Sequence, residues 1–185
     1  MSEPVVIVDY GAGNTRSVRA SLARLGRASE VSASPDAITE ARHVILPGVG
    51  SAASAMEHLR ATGAAEALRE RVSAGRPVLG ICLGLQLALE DSEEDGGVEG
   101  LALVPGHVER LREGRVPRLG WATVRPSGET FYFAHSYGAT TPAAVAFADG
   151  VAAIIEHGSF TGVQFHPEKS GPVGQRYLDR CLTRA

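Results

Sequence analysis

The sequence predicts an α/β fold with a largely parallel central sheet, to which antiparallel strands are added in the second half of the chain. Three observations carry this. In the first half, short β-branched runs alternate with stretches of helical period, the signature of βα units. From residue 101 onward the runs are short, often alternating, and separated by Gly and Pro, which favours antiparallel pairing. The chain has 185 residues, 44% hydrophobic and 21% charged. That suits one domain over residues 1–185, at roughly 100–200 residues per domain.

Each element follows from its own pattern. Val5-Val6-Ile7-Val8 is a continuous β-branched run, as in a strand buried on both faces. Asp9 and Tyr10 end it, and Gly11-Ala12-Gly13-Asn14 reads as a turn. Val18, Leu22 and Leu25 recur at helical spacing, with Gly26 as the stop. Val44-Ile45-Leu46 is a second buried strand, closed by Pro47-Gly48-Val49-Gly50. Ala52, Met56 and Leu59 mark one helix, and Ala64, Leu68 and Val72 another. Val78-Leu79 opens a third strand that runs into Gly80-Ile81-Cys82-Leu83-Gly84, and residues 85–90 read as helix. The acidic stretch 90–97 reads as a solvated loop. Strands are then expected over 101–104, 108–111, 122–124, 130–133, 144–147, 152–155 and 162–165. Residues 173–182 form the last helix, with Val173, Tyr177 and Cys181 on one stripe.

Composition removes several classes of function. Eighteen basic and 21 acidic residues leave a net charge of −3, without the basic footprint that phosphate binding needs; no nucleic-acid partner is expected. No apolar run approaches the roughly 20 residues of a membrane span, and no basic segment with a signal-like core opens the chain. Two cysteines, Cys82 and Cys181, make no disulfide framework. The expectation is a cytoplasmic protein with no membrane partner. Zinc-type spacings, a Walker pattern and the third glycine of a dinucleotide fingerprint are absent, so neither a metal nor a cofactor is expected.

The chemistry concentrates at two segments. Gly80-Ile81-Cys82-Leu83-Gly84 lies between a buried strand and a helix. A nucleophile on such a sharp turn is exposed, and flanking glycines relieve the crowding there. The helix N-terminus that follows favours thiolate over thiol. The competing reading is a small core residue, since free cysteines are commonly buried. A sulfur nucleophile needs a base, and the base an orienting group. Of six histidines, His43, His58, His107, His135, His157 and His166, only His166 follows an apolar strand end and precedes a carboxylate, Glu168, by two residues. Pro167 disfavours helix at His166, so a rigid turn could present imidazole and carboxylate together. Alone, His-Pro-Glu is more often a surface turn; paired with the cysteine bend it reads as catalytic. Attack on a carbonyl further requires oxyanion donors. The N–H groups of Val49 and Gly50, in a glycine-rich turn at a neighbouring strand end, and of Leu83 could supply them. Cys181 reads as packing.

Gly80-Ile81-Cys82-Leu83-Gly84-Leu85-Gln86 and Gly162-Val163-Gln164-Phe165-His166-Pro167-Glu168 resemble the class I (triad) glutamine amidotransferases. Five further segments look like the glutaminase subunits of imidazole glycerol phosphate synthase: Asp9 to Asn14, Pro47 to Gly50, Val116 to Trp121, Tyr132 to Tyr137 and His166 to Gly171. They span nearly the whole chain in the family's order.

The resemblance implies a three-layer fold and a glutaminase in which Cys82 attacks the side-chain amide of glutamine. A γ-glutamyl thioester forms, and ammonia leaves with a proton from His166, oriented by Glu168. It further implies that Gln86 and Glu94 hold the α-amino and carboxylate ends of glutamine, completed by His135, Ser136, Tyr137 and Gly50. Residues 47–50 would form an active hole only when a partner carries ligand. That partner is a (β/α)8-barrel cyclase subunit, which receives ammonia and makes imidazole glycerol phosphate and aminoimidazole carboxamide ribotide in histidine biosynthesis. Asn14, Trp121 and Lys169 would face it. Tryptophan is enriched in interface hot spots, although without the family a core position is as good a reading of Trp121. The chain departs from the family's common pattern at Thr15, at Arg118-Leu119 and at Ala122. Two rivals are the glutaminase of another amidotransferase, such as pyridoxal phosphate synthase, and a non-catalytic scaffold. The first usually lacks the Tyr132–Tyr137 and His166–Gly171 blocks; the second would be expected to have lost a triad position.

Overall fold

The computed structural model describes residues 3–11 and 14–183; Ala12 and Gly13 of the expected first turn lie outside them. In chain order the elements are β1 (Val5–Val8), α1 (Thr15–Arg24), β2 (Ser29–Ser32), α2 (Pro35–Glu40), β3 (Val44–Leu46), α3 (Ala52–Ala61), α4 (Ala64–Ser73), β4 (Val78–Ile81) and α5 (Leu83–Gln86). The second half holds β5 (Asp91–Ser92), β6 (Val98–Glu99), β7 (His107–Arg110), β8 (Arg118–Thr123), β9 (Thr130–His135), β10 (Tyr137–Thr140), β11 (Ala144–Ala148), β12 (Val151–His157), β13 (Phe160–Val163) and α6 (Gly171–Thr183).

The central sheet has seven strands in the order β11-β12-β13-β4-β3-β1-β2. From β13 to β2 every pairing is parallel, whereas β11 and β12 run antiparallel at one edge. Alternate residues of the buried strands feed two separate cores, as a period of two requires. Val6, Val8, Val44, Leu46 and Val78 pack with Ile38, Met56, Leu59 and Leu68 from α2, α3 and α4. Val5, Ile7, Ile45, Leu79 and Ile81 pack with α1, α6 and the β9 aromatics Phe131 and Phe133. The layers are therefore helices, sheet, and helices plus the β8–β9 hairpin. A four-stranded sheet, β10-β7-β5-β6, stands beside them.

Several expectations are corrected. Residues 101–104 form no strand: their N–H groups donate to the carbonyls of Leu87, Ala88 and Leu89, closing the chain that leaves α5. The helix expected over 85–90 is instead the single turn Leu83–Gln86. The expected strand at 162–165 lies earlier, at Phe160–Val163, and is parallel to β4, so Gln164 and Phe165 lie beyond its end. His107, expected in a turn, opens β7. The acidic loop contains β5 and a 3-10 turn at Glu94–Gly96. β2, α2 and β10 had no clear sequence signal. α2 owes its position to Arg71 of α4, only 1% exposed. The Arg71 guanidinium donates to the carbonyls of Ile38, Ala41 and Arg42 around the end of α2 and to that of Pro77, and burial pulls its pKa down to about 10.

Candidate active site

The register of the parallel strands assembles the site. Gly162 pairs with Gly80 and Val163 with Ile81 across β13 and β4, while Leu46 pairs with Gly80 across β3 and β4. The carboxyl ends of three strands thus lie side by side, where open α/β sheets place their ligands. β3 releases Pro47–Gly50, β4 releases Cys82, and β13 releases Gln164–Glu168.

Cys82 sits at φ 50°, ψ −105°, a backbone region that costs a non-glycine residue about 1–3 kcal/mol. Its N–H donates to the Val163 carbonyl at 2.7 Å, which ties the bend to β13. The glycines around it are dictated by close approach. A Cβ on Gly84 would fall 2.0 Å from the Leu46 oxygen, and one on Gly48 would fall 1.9 Å from the Ile81 oxygen. No other residue lets the Pro47–Gly50 turn lie against the bend.

Opposite the sulfur, His166 Nδ1 meets Glu168 Oε1 at 2.8 Å, with the two side chains only 2% and 1% exposed. Nε2 is left free of Glu168, in the residue that lines the same cavity as Cys82. Burial alone pulls the imidazole down, but bonds and charges from Cys82 and Glu168 outweigh it and raise the His166 pKa to about 9. The turn bearing the pair is pinned to β9: the His166 N–H donates to the Tyr132 carbonyl, and the Ser170 hydroxyl accepts from the Tyr132 N–H while donating to the His166 carbonyl.

Cys82, His166, Gln86, Glu94, His135, Ser136, Tyr137, Lys169, Val49, Gly50 and Leu83 all line one cavity of about 290 Å³. Gln86 spends both amide N–H groups inside the protein, on the Tyr137 carbonyl at 2.9 Å and Gln164 Oε1 at 3.1 Å; to a ligand it offers its oxygen. His135 shares the Tyr137 carbonyl through Nδ1 at 2.8 Å, so Nδ1 carries the hydrogen and Nε2 is an acceptor. That Nε2 and Glu168 Oε2 are buried without a hydrogen-bond partner. Burial, with the nearby charges of Arg118 and His166, lowers the His135 pKa to about 4 against the bond to the Tyr137 carbonyl. Burial and the neighbouring Asp95 raise Glu94, against a bond from the Ala52 N–H.

The expected oxyanion donors are not equivalent. Leu83 N–H stands at the first position of α5, where a helix has no internal acceptor. The Val49 N–H is already engaged: it donates to the Tyr10 hydroxyl at 3.3 Å, which itself donates to the Pro47 carbonyl at 2.8 Å. Tyr10 is 1% exposed, and burial raises its pKa so that the phenol keeps its proton. Asp95 braces the same segment from the other side, accepting from the Ser51 hydroxyl at 2.6 Å and the Ala53 N–H at 3.1 Å. Tyr10, Asp95 and Gln164 are site residues that sequence reasoning missed. Gln164 alone left a trace, as a polar residue inside an apolar run.

Of the residues expected to face a partner, Trp121 is 58% exposed and shares one face of β8 with Leu119, 64% exposed. Lys169 is exposed at the cavity mouth, and Asn14 is half-buried just before α1. A larger cavity of about 820 Å³ lies beside the site between β7, β10 and residues 111–117, sharing Pro117 and Leu119 with its rim. Among the described residues no group of three or more His, Cys, Asp or Glu side chains is placed to hold a metal ion, and no helix is long and apolar enough to cross a membrane.

Comparison with known proteins agrees with this geometry. Residues 6–185 match the family model "Glutamine amidotransferase class-I". "Imidazole glycerol phosphate synthase subunit HisH" from Moorella thermoacetica is 46% identical, covering 95% of this chain and 92% of the relative. Its counterparts from Exiguobacterium sibiricum and Carboxydothermus hydrogenoformans are 44% and 42% identical, each over 94% of this chain and over 92% and 96% of their own lengths. Among solved structures, a "glutamine amidotransferase" superposes with a TM-score of 0.78 at 21% identity, covering 96% of this chain and 98% of that one. PurLQS from Thermotoga maritima gives 0.72 at 18%, covering 98% of each chain; both show likeness of fold. The chain belongs to the class-I glutamine amidotransferases, and within them to the HisH subunits of imidazole glycerol phosphate synthase.

Proposed function

We propose that Cys82, His166 and Glu168 hydrolyse glutamine and that the ammonia is passed to a (β/α)8-barrel cyclase subunit. A glutamine-hydrolysing subunit of imidazole glycerol phosphate synthase, in histidine biosynthesis, is the activity of the family to which the chain belongs. The single observation that carries the residue assignment is the strained Cys82 facing the buried His166–Glu168 pair.

The steps follow from the geometry. Sγ, as thiolate beside the His166 imidazolium, adds to the side-chain carbonyl carbon of glutamine, and the carbonyl oxygen takes the negative charge. The Leu83 N–H, joined by N–H groups of Val49 and Gly50 once the turn rearranges, stabilises that charge. His166 Nε2 gives its proton to the amide nitrogen, the C–N bond breaks, and ammonia leaves a γ-glutamyl thioester. Water then loses a proton to Nε2 and attacks; the C–S bond breaks and glutamate departs. Glu168 fixes the tautomer throughout. The Gln86 oxygen and the Glu94 carboxylate suit the α-ammonium of glutamine, and the backbone of residues 135–137 suits its carboxylate.

The partner would dock where Leu119 and Lys169 rim the cavity and Trp121 stands exposed beside Leu119 on β8, since large aromatics exposed beside a site serve as interface anchors. The test is glutamate release by the isolated chain and by the chain mixed with the cyclase and its ribonucleotide. A low basal rate strongly stimulated by the mixture is expected. A full rate that ignores the partner refutes the coupling.

A further inference from the structure

Gln164 is wholly buried, 0% exposed, two residues before His166. Its Nε2 lies 3.5 Å from Cys82 Sγ, and its Oε1 accepts from Gln86 Nε2 at 3.1 Å. Gln86 Nε2 in turn donates to the Tyr137 carbonyl at 2.9 Å. A backbone carbonyl can only accept, so the Gln86 amide must present nitrogen to it. The same nitrogen supplies the second hydrogen to Gln164, whose facing atom must then be oxygen. The Gln164 nitrogen is thereby forced toward the sulfur. The direction of the whole chain of bonds is set at Tyr137, in the wall of the cavity, and ends as an N–H donor on the nucleophile.

We infer that Gln164 is a positioning residue that donates a hydrogen bond to the Cys82 sulfur, which also faces the Ala134 carbonyl at 3.8 Å, and so aims it into the cavity. The inference rests on the reading of Cys82 as nucleophile and extends it. A donor on sulfur favours thiolate over thiol and eases the departure of sulfur from the thioester, because both states carry negative charge there. Burial of the Gln164 amide makes the bond count, since no water competes for the donor. It also links ligand seating to sulfur: Gln86, which faces the ligand, shares its amide nitrogen with Gln164. The other titratable groups near the sulfur are His166 with Glu168 behind it, Tyr10 after β1, and Glu94, His135, Tyr137 and Lys169 on the cavity wall; none of them makes a hydrogen bond to the Gln164 side chain, although His135 shares the Tyr137 carbonyl with Gln86.

The test is the pH profile of Cys82 alkylation by iodoacetamide, resolved from Cys181 by mass spectrometry, in wild type, Gln164→Met and Gln164→Glu. Met keeps the volume and removes the donor. Glu keeps an acceptor for Gln86 but sets an oxygen against the sulfur. The expected order of rates at pH 7 is wild type, then Met about tenfold slower, then Glu slower still, with the inflection moving alkaline in the same order. A role confined to supporting Gln86 predicts the opposite ranking, with Glu near wild type, and would overturn the inference. Should Met fail to fold, Glu against wild type decides alone: slower alkylation upholds the donor, an unchanged rate overturns it. Equal rates in all three proteins, with glutamine still hydrolysed by wild type, refute the role of Gln164 and spare that of Cys82. A wild-type Cys82 inert to iodoacetamide and to glutamine sinks both.

Discussion

Replacing Tyr10 by Phe should raise the glutaminase rate of the chain in the absence of any partner. The ring, buried in the core, is the same size in Phe; only the hydroxyl is lost. That hydroxyl donates to the Pro47 carbonyl and accepts from the Val49 N–H, so it holds the glycine-rich turn with the Val49 N–H engaged on the phenol. A buried hydrogen bond is worth about 1 kcal/mol net. The conformation with Val49 turned toward a developing oxyanion does not use the second bond and so loses less from the substitution. The balance between the two conformations then shifts by about 1 kcal/mol, roughly a fivefold gain in the competent population. Global stability falls by about 1–2 kcal/mol, which for a chain of this length lowers Tm by about 2–8 °C.

Glutamate release measured with and without the cyclase and its ligand gives the readout. Basal activity should rise about fivefold, while the stimulated rate stays level, so the stimulation ratio falls by the same factor. If Tm drops and the basal rate does not move, the hydroxyl serves packing alone and the latch does not exist.

Four other outcomes follow from the same contacts. A glutamine-like alkylating reagent should label wild type and Cys181→Ala but not Cys82→Ala; labelling in the reverse pattern refutes Cys82 as nucleophile. Glu168→Gln removes one of the charges that raise His166 to about 9, so the alkaline limb of the kcat/KM profile should move to lower pH; a limb that stays put means Glu168 does not act on His166. Gly48→Ala and Gly84→Ala drive a methyl group into backbone at about 2 Å and should cost about 3 kcal/mol or prevent folding; wild-type melting curves would contradict the packing of the bend. His135, held near 4 in the folded chain against 6.5 unfolded, binds fewer protons folded than unfolded between those values. Stability should therefore fall as pH drops through that window, by about 3 kcal/mol in all, and His135→Gln should flatten the decline; an acid limb of equal slope in the variant assigns it elsewhere.

The parts of the fold legible in the sequence are those whose pattern is local. β1, β3 and β4 are buried on both faces, and the Val, Ile and Leu runs of β1 and β3, with the Val78-Leu79 pair that opens β4, announce it. β2 is Ser29-Glu30-Val31-Ser32 at the sheet edge; with one side unpaired and partly solvated it needs no apolar run, and nothing in its composition marks it. α2, six residues long, is too short to show a period, and its C-terminal carbonyls are satisfied by an arginine some thirty positions away. The 101–104 run is apolar because it is buried, yet its donors go to carbonyls rather than to a neighbouring strand. Burial and strand pairing leave the same mark on composition, and only the partner's position separates them.

At the site the same distinction sorts what could be read. A glycine-flanked cysteine after a strand and a His-Pro-Glu turn are each complete within a few residues, so both are legible in the sequence as candidates. The groups that tune them are not. Tyr10 reaches Val49 over 39 positions and Gln164 reaches Cys82 over 82, distances closed only by the strand order. Parallel neighbours bring carboxyl ends together at no cost in local pattern, because each crossover leaves the strand free to carry any residue just beyond its end. Cys82, His166 and the Pro47–Gly50 turn each follow one such end. The residues that hold them, Tyr10 past β1 and Gln164 past β13, occupy the same level of the sheet. A change in the register of β13 against β4 by one residue would leave the sequence motifs intact and turn Gln164 and His166 to the opposite face. The site is thus written twice, once in the motifs and once in the pairing of Gly162 with Gly80, and only their agreement brings His166 and Cys82 into one cavity.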